Sequence, residues 1–220
     1  MKIFPYLSVT FFIAQTVLHL DARIGDERLA LEKRLLRSGG YQYREEKVLS
    51  NRRKGMPYVK FEEYFPDRAD LRIYYKTIDG RKPLSKDIKT SSMLEGWNLH
   101  VLYVQGKSVM EVYRRSEIIT EFEFIHLLNL QSGSSFWEKK SDKELDENEF
   151  STFGFDLQRN DKLLRAKKIG SNAVMIFSSG FDHLIKKMIK TEMTSVKSSE
   201  HHTFSIPILV DVNIGDNWGM

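Results

Sequence analysis

The chain has 220 residues, a net charge of +4, 41% hydrophobic and 12% aromatic residues, and no cysteine. That apolar content argues against a disordered chain, and the length allows one substantial core or two small ones. The missing thiols exclude disulfides, thiolate metal ligands, a cysteine nucleophile and the lipid attachment of a bacterial lipoprotein.

Met1-Lys2 carries one positive charge, and Ile3 to Leu20 holds no ionisable group except His19. Leu20-Asp21-Ala22 then offers a small residue for a signal peptidase, so residues 1–22 read as a secretory signal peptide cut between Ala22 and Arg23. The apolar run is 18 residues long and is broken by Pro5, Gln15 and Thr16. That is the short edge for a membrane span, so removal is favoured over the alternative of an uncleaved anchor. No second long apolar run follows, and no membrane span is expected after leader removal. Removing the leader takes one Lys and one Asp and leaves the net charge unchanged. A secreted animal protein of this size would more often carry disulfides, so a bacterial envelope or exported protein is expected.

Arg23 to Ser38 reads as a helix with Ile24, Leu29, Leu31, Leu35 and Leu36 near one side, Asp26 as N-cap and Gly39-Gly40 as the stop. Tyr41 to Lys54 is charged and ambiguous, and Gly55-Met56-Pro57 breaks it. Tyr58 to Pro66 fits a short helical turn or an irregular segment. From Leu71 the period changes to that of strands. LRIYYKT is followed by the turn Asp79-Gly80, and WNLHVLYV and SVMEVYR form a hairpin about Gln105-Gly106-Lys107. Both faces of Trp97 to Val104 are partly apolar, which suits a central strand. Ser116 is read as the N-cap of a helix with Ile118, Phe122 and Ile125 on one stripe and Ile119 and Leu128 beside it, a strand through the alternating Glu-Phe-Glu-Phe being the lesser reading.

Lys139 to Glu149 is the most polar stretch and reads as a loop or linker. Three antiparallel strands follow at Phe153–Arg159, Leu163–Ile169 and Asn172–Phe177, then a helix over Phe181–Met193, with a bent strand as its alternative, and an edge strand over Phe204–Val212. Leu99–Arg115 and Phe153–Lys168 share the order strand, turn, strand, basic pair, and a duplicated meander is the lesser reading of that likeness. The predicted class is therefore α+β, with antiparallel hairpins packed against a few helices. Its parts are 1–22 signal peptide, 23–138 N-terminal α+β region, 139–150 linker or loop, and 151–220 C-terminal β-rich region, with the N-terminal and C-terminal regions allowed to form one domain.

Local signatures of chemistry are weak. There is no G-x-S-x-G elbow, no Ser-x-x-Lys, no H-E-x-x-H and no phosphate-binding glycine loop. Gln131-Ser-Gly-Ser-Ser135 has the composition of a flexible loop, and His100 inside a strand reads as structural. The pair His201-His202 points apart on an extended chain, and Asp211 to Asp216 lacks the glycine and terminal glutamate of a calcium loop. Carboxylates at Glu62-Glu63, Glu121, Glu123 and Asp142 to Glu149 read as solvated faces rather than a glycosidase pair. Arg52-Arg53-Lys54 near Tyr58, and Arg165, Lys167 and Lys168, interleave base and aromatic. Export argues against nucleic acid there and favours an anionic envelope polymer or lipid headgroups.

The residues GMPYVKF, EVYRRSE and LLRAKK, set behind a leader, resemble small uncharacterised secreted bacterial proteins over Gly55 to Ile169. The resemblance implies export and suggests no activity. The expected function is thus a secreted or periplasmic, non-enzymatic binding or scaffolding module of the envelope or exterior, with no cofactor and no catalytic or metal residues assigned. Its expected partner is an anionic polymer or another envelope protein. The alternatives are an exported hydrolase whose site assembles from residues distant in sequence, and a nucleic-acid or anionic-polymer binder.

Overall fold

The computed structural model describes residues 23–81, 83–84, 95–140 and 150–200, with side chains to 194. The leader with its Ala22–Arg23 junction, most of the polar stretch before Phe150, His201-His202 and the segment Phe204–Val212 fall outside the described residues.

In chain order the elements are α1 (Arg28–Arg37), β1 (Tyr41–Gln42), α2 (Glu46–Arg53), a 3-10 helix (Pro57–Tyr64), β2 (Asp70–Thr77), β3 (Gly96–Val104), β4 (Lys107–Arg115), α3 (Glu121–Leu130), β5 (Trp137–Lys139), β6 (Leu157–Arg159), β7 (Leu164–Ile169), β8 (Ala173–Ser178) and α4 (Ser179–Glu200). The eight strands among the described residues join one antiparallel sheet in the order β1-β2-β3-β4-β8-β7-β6-β5. The fold is α+β, as the strand patterns predict. Strands from both sides of the polar stretch share this sheet.

The β3–β4 hairpin forms where the alternation places it. Gln105 and Gly106 both have positive φ, 53° and 80°, the backbone of a two-residue type I′ turn whose twist matches that of the strands it joins. β3 is buried along almost its whole length because helices cover both faces of the sheet. On the first face Leu99, Val101 and Tyr103 meet Leu31 and Leu35 of α1 and Phe124, Leu127 and Leu128 of α3. On the second face Leu102, Met110, Val112, Met175 and Phe177 meet Tyr58 of the 3-10 helix, Phe153, and Phe181 and Ile185 of α4. A smaller cluster of Tyr43, Val48, Ile73 and Tyr75 lies under α2. The strands at the two edges, β1 and β5, are only two and three residues long, which limits the unpaired backbone offered to other chains.

The expectations for two helices and one strand are corrected. α1 starts at Arg28 with Glu27, not Asp26, at its N-cap; the Asp26 carboxylate instead accepts from the Arg23 amide and pairs with Arg34. Only Leu31 and Leu35 are buried there, while Leu29 and Leu36 face outward. α3 is capped by Thr120 rather than Ser116, in a reciprocal capping box with Glu123. The stripe Ile118, Phe122, Ile125 is exposed and the buried one is Phe124, Leu127, Leu128, the arc of the helix free of polar residues, whereas Phe122 and Ile125 share their side with Glu121, His126 and Asn129. The strand expected at Phe153–Arg159 is shortened to Leu157–Arg159, since Phe153 and Phe155 turn into the second-face core.

The strand order reads the same when the two halves are exchanged: each half is a helix, a short edge strand, then a three-strand meander, joined through β4 and β8. α1 and α3 cover the same face, and the fourth and eighth residues of each are buried: Leu31 and Leu35, Phe124 and Leu128. The equivalence pairs β3–β4 with β7–β8. The likeness read from sequence, between Leu99–Arg115 and Phe153–Lys168, is offset by one strand.

Gly96 opens β3 at φ 155°, and a Cβ there would sit 2.2 Å from the Lys76 carbonyl oxygen. Gly96→Ala is therefore expected to lower stability by about 1–3 kcal/mol, as for other strained backbone positions, measured by urea denaturation. An unchanged midpoint would show that β2 shifts freely at this point.

Candidate functional site

Arg52 and Arg53 end α2, and Gly55 with φ 81° turns the chain into Pro57, whose fixed φ starts the 3-10 helix. The helix runs over β2 and β3 and stops at Phe65. A turn then follows in which the Ala69 amide donates to the Pro66 carbonyl. Its third residue, Arg68, has φ 67°, where a type II turn ordinarily carries glycine. Between this turn and the sheet opens a cleft of about 290 Å³ lined by Arg53, Glu62, Phe65, Arg68, Leu71 and Leu102. Arg53 is held by Glu46 at 2.7 Å and Glu62 at 3.6 Å. The exposed Arg68 side chain has no hydrogen-bond or ion-pair partner among the described residues. The cleft thus joins an apolar floor to one neutralised and one open guanidinium.

Two residues along β3 from the floor residue Leu102, on the same face, lies His100, fully buried with Nδ1 2.7 Å from the Tyr58 hydroxyl. Burial, reinforced by the charges of Arg114, Arg53 and Arg52, pushes the imidazole down to about 3. Burial likewise raises Tyr58 well above the usual phenol range. His100 is therefore neutral across the physiological range and locks the 3-10 helix onto the sheet. Beside it the guanidinium of Arg52 lies 5.4 Å from the Tyr43 ring centre, and Arg114 donates to the Arg52 carbonyl at 3.4 Å.

A displaced carboxyl lies on the first face. Glu111 is fully buried, and burial raises its carboxyl to about 8 despite hydrogen bonds from the Tyr113 hydroxyl and Gln131 Nε2, both 2.8 Å. Gln131 in turn accepts from the Ile24 amide at 3.0 Å, which ties the start of the described chain to the end of α3. The Tyr74 hydroxyl donates to Glu32, which also pairs with Arg72 at 2.6 Å. These groups are enclosed by packed elements and anchor helices to strands.

The residues singled out by sequence are dispersed. Glu123 caps α3 and pairs with Arg115, Glu121 pairs with Lys168, and Glu62 faces Arg53. Arg165 forms a buried ion pair with Asp182, and Lys167 donates to the Phe153 carbonyl. The basic residues expected to form a binding surface thus mostly serve the fold, and only Arg53 reaches the cleft. Ser132 and Ser135 donate to the Leu128 carbonyl and to Asp161. His183 is exposed on α4. No group of three or more His, Asp or Glu among the described residues is placed to hold a metal. None of the helices among the described residues is long and apolar enough to cross a membrane. Arg68 was not singled out by sequence; the turn dipeptide Pro66-Asp67 was its available signal. Compared with known proteins, the chain matches no family model, no curated protein and no solved structure.

Proposed function

We propose that the protein is an exported, non-enzymatic binding module of the cell envelope or exterior that grips an anionic polymer in the cleft beside Arg68. One observation carries this reading: an unpaired arginine held in a left-handed backbone at the mouth of a cleft with an apolar floor. A non-glycine residue there costs about 1–3 kcal/mol, and such strain concentrates where function holds it. Support for binding over hydrolysis comes from the displaced groups His100 and Glu111, both sealed away from solvent. Export rests on the leader sequence.

The test uses resins bearing polyphosphate or polyglutamate, with Arg68→Gly and Arg68→Glu as variants. Relief of the left-handed backbone offsets the roughly 0.5–1 kcal/mol entropy cost of glycine, so Arg68→Gly keeps its stability. Wild type is expected to elute at clearly higher salt than either variant. Equal elution of all three would refute the cleft as the site, and an intact mass retaining Met1 in a cytoplasmic fraction would refute export.

A further inference from the structure

We infer that the outer surface of α1 and α3 rests on an anionic lipid bilayer when the leader is retained as an anchor. This rests on the export reading in its tethered form and is independent of the cleft. Three features converge on that face.

The first is exposed apolar surface. Leu29 and Leu36 on α1, and Ile118, Phe122 and Ile125 on or just before α3, are 49–73% exposed. Exposed apolar residues are ordinary when scattered and informative when they share one face. Here they cap two helices that cover the same side of one sheet, and Leu29 and Phe122 hold the same second position in the two halves. Two ridges on one side of a sheet suit a flat partner.

The second is charge. Lys33 and Arg37 stand among Leu29 and Leu36 on the outer side of α1 and have no hydrogen-bond or ion-pair partner among the described residues. On α3 the acids flanking Phe122 are already neutralised, Glu121 by Lys168 and Glu123 by Arg115. An apolar stripe bordered by free lysine and arginine is the pattern of a helix lying in a lipid interface, where the long cations reach anionic headgroups.

The third is the chain's point of entry. Ile24 packs into the first-face core beside α3, and the Arg23 carbonyl accepts from Ser108 Oγ at 2.7 Å, so the described chain begins on this face. The apolar run ends at Leu20, three residues earlier. Three residues span at most about 10 Å, so an embedded run would keep Arg23 within that distance of the interface, and with it the Leu29 end of α1 and the Gln131 end of α3, from which the two ridges run. Lipid, rather than a second copy, is the occupant this reach selects.

The cysteine-free chain suits single-site labelling. Full-length protein is reconstituted into vesicles of phosphatidylglycerol and phosphatidylcholine, with an environment-sensitive fluorophore on Leu29→Cys, Phe122→Cys or, on α4 across the sheet, Leu184→Cys. Labels at 29 and 122 are expected to be blue-shifted and quenched severalfold more by spin-labelled lipid than the label at 184. Lys33→Glu with Arg37→Glu should remove most of that difference. Equal quenching at all three sites would overturn the inference. So would shielding at 29 and 122 that appears without lipid and grows with protein concentration, which would assign the face to a second copy. Complete release of a species beginning at Arg23 that ignores vesicles would also overturn it, while leaving polyanion retention through Arg68 intact.

Discussion

Asp182→Ala is expected to destabilise the protein by about 3–5 kcal/mol, because it strands a buried guanidinium. Asp182 and Arg165 are 1% and 3% exposed and meet at 2.5 Å, α4 facing β7. The Arg165 guanidinium also lies 4.5 Å from the Phe155 ring centre, so without its counter-ion the charge remains enclosed by apolar surface. The second oxygen of Asp182 accepts from the Thr152 amide at 2.8 Å, and the same substitution frees that segment. Removing both charges is a different matter. Arg165→Met with Asp182→Leu keeps the volume and discards both desolvation costs, so it is expected to recover most of that loss, short of the roughly 1 kcal/mol tied to the Thr152 amide that still lacks its acceptor. Urea denaturation of the two singles and the double closes the cycle. A single alanine variant as stable as wild type would mean that Arg165 reaches water when its partner is lost.

The elements legible in the sequence are those whose signal is local. β3 and β4 were readable because alternation, β-branching and the Gln105-Gly106 turn all agree, and burial on both faces of β3 followed from its doubly apolar pattern. The order of β6, β7 and β8 was readable for the same reason. Helix orientation was not. In EIITEFEFIHLLNL apolar residues occur on every side of the helix, so two stripes compete, and the one that packs is the one clear of Glu121, His126 and Asn129. Thr120-x-x-Glu123 was the signal for where that helix begins. α1 shows the same ambiguity, with leucines at 29, 31, 35 and 36 and room against the sheet for only two.

The cleft lay beyond local reading for a different reason. Arg53, Glu62, Arg68 and Leu102 come from a helix end, a 3-10 helix, a turn and a central strand, and their meeting depends on α2 and the 3-10 helix folding back over β3. Nor does anything local announce that Arg68 takes a left-handed backbone. The basic run Arg52-Arg53-Lys54 was visible, but one of its members is spent inside the protein, where Arg52 lies against the Tyr43 ring. Charge in sequence measures what is available to the whole molecule. Packing decides how much of it faces a partner.

Glu111→Gln is expected to change the pH dependence of stability more than its value at mildly acid pH. Glu111 titrates at about 8 when folded, against 4.5 for the ordinary carboxyl. Between those values the folded protein holds a proton that the unfolded chain has released. The stability tied to that proton is therefore full below about 4.5 and is lost as pH rises toward 8. His100 works in the opposite direction. Its folded value is about 3 against 6.5, so below 6.5 the unfolded chain takes up a proton that the folded state refuses, and stability falls with falling pH. Across 4.5–6.5 the two slopes cancel. Above 6.5 Glu111 acts alone and costs roughly 1.4 kcal/mol per pH unit. Glutamine mimics the protonated carboxyl and cannot ionise, so the stability difference between variant and wild type should grow by on the order of 5 kcal/mol from pH 4.5 to 8. Other titrating groups are common to both proteins and drop out of that difference. Urea midpoints at pH 5, 6.5 and 8 measure it directly. Parallel curves for the two proteins would mean that Glu111 is ionised in the folded state, and that the space around its unpartnered Oε1 is hydrated rather than sealed.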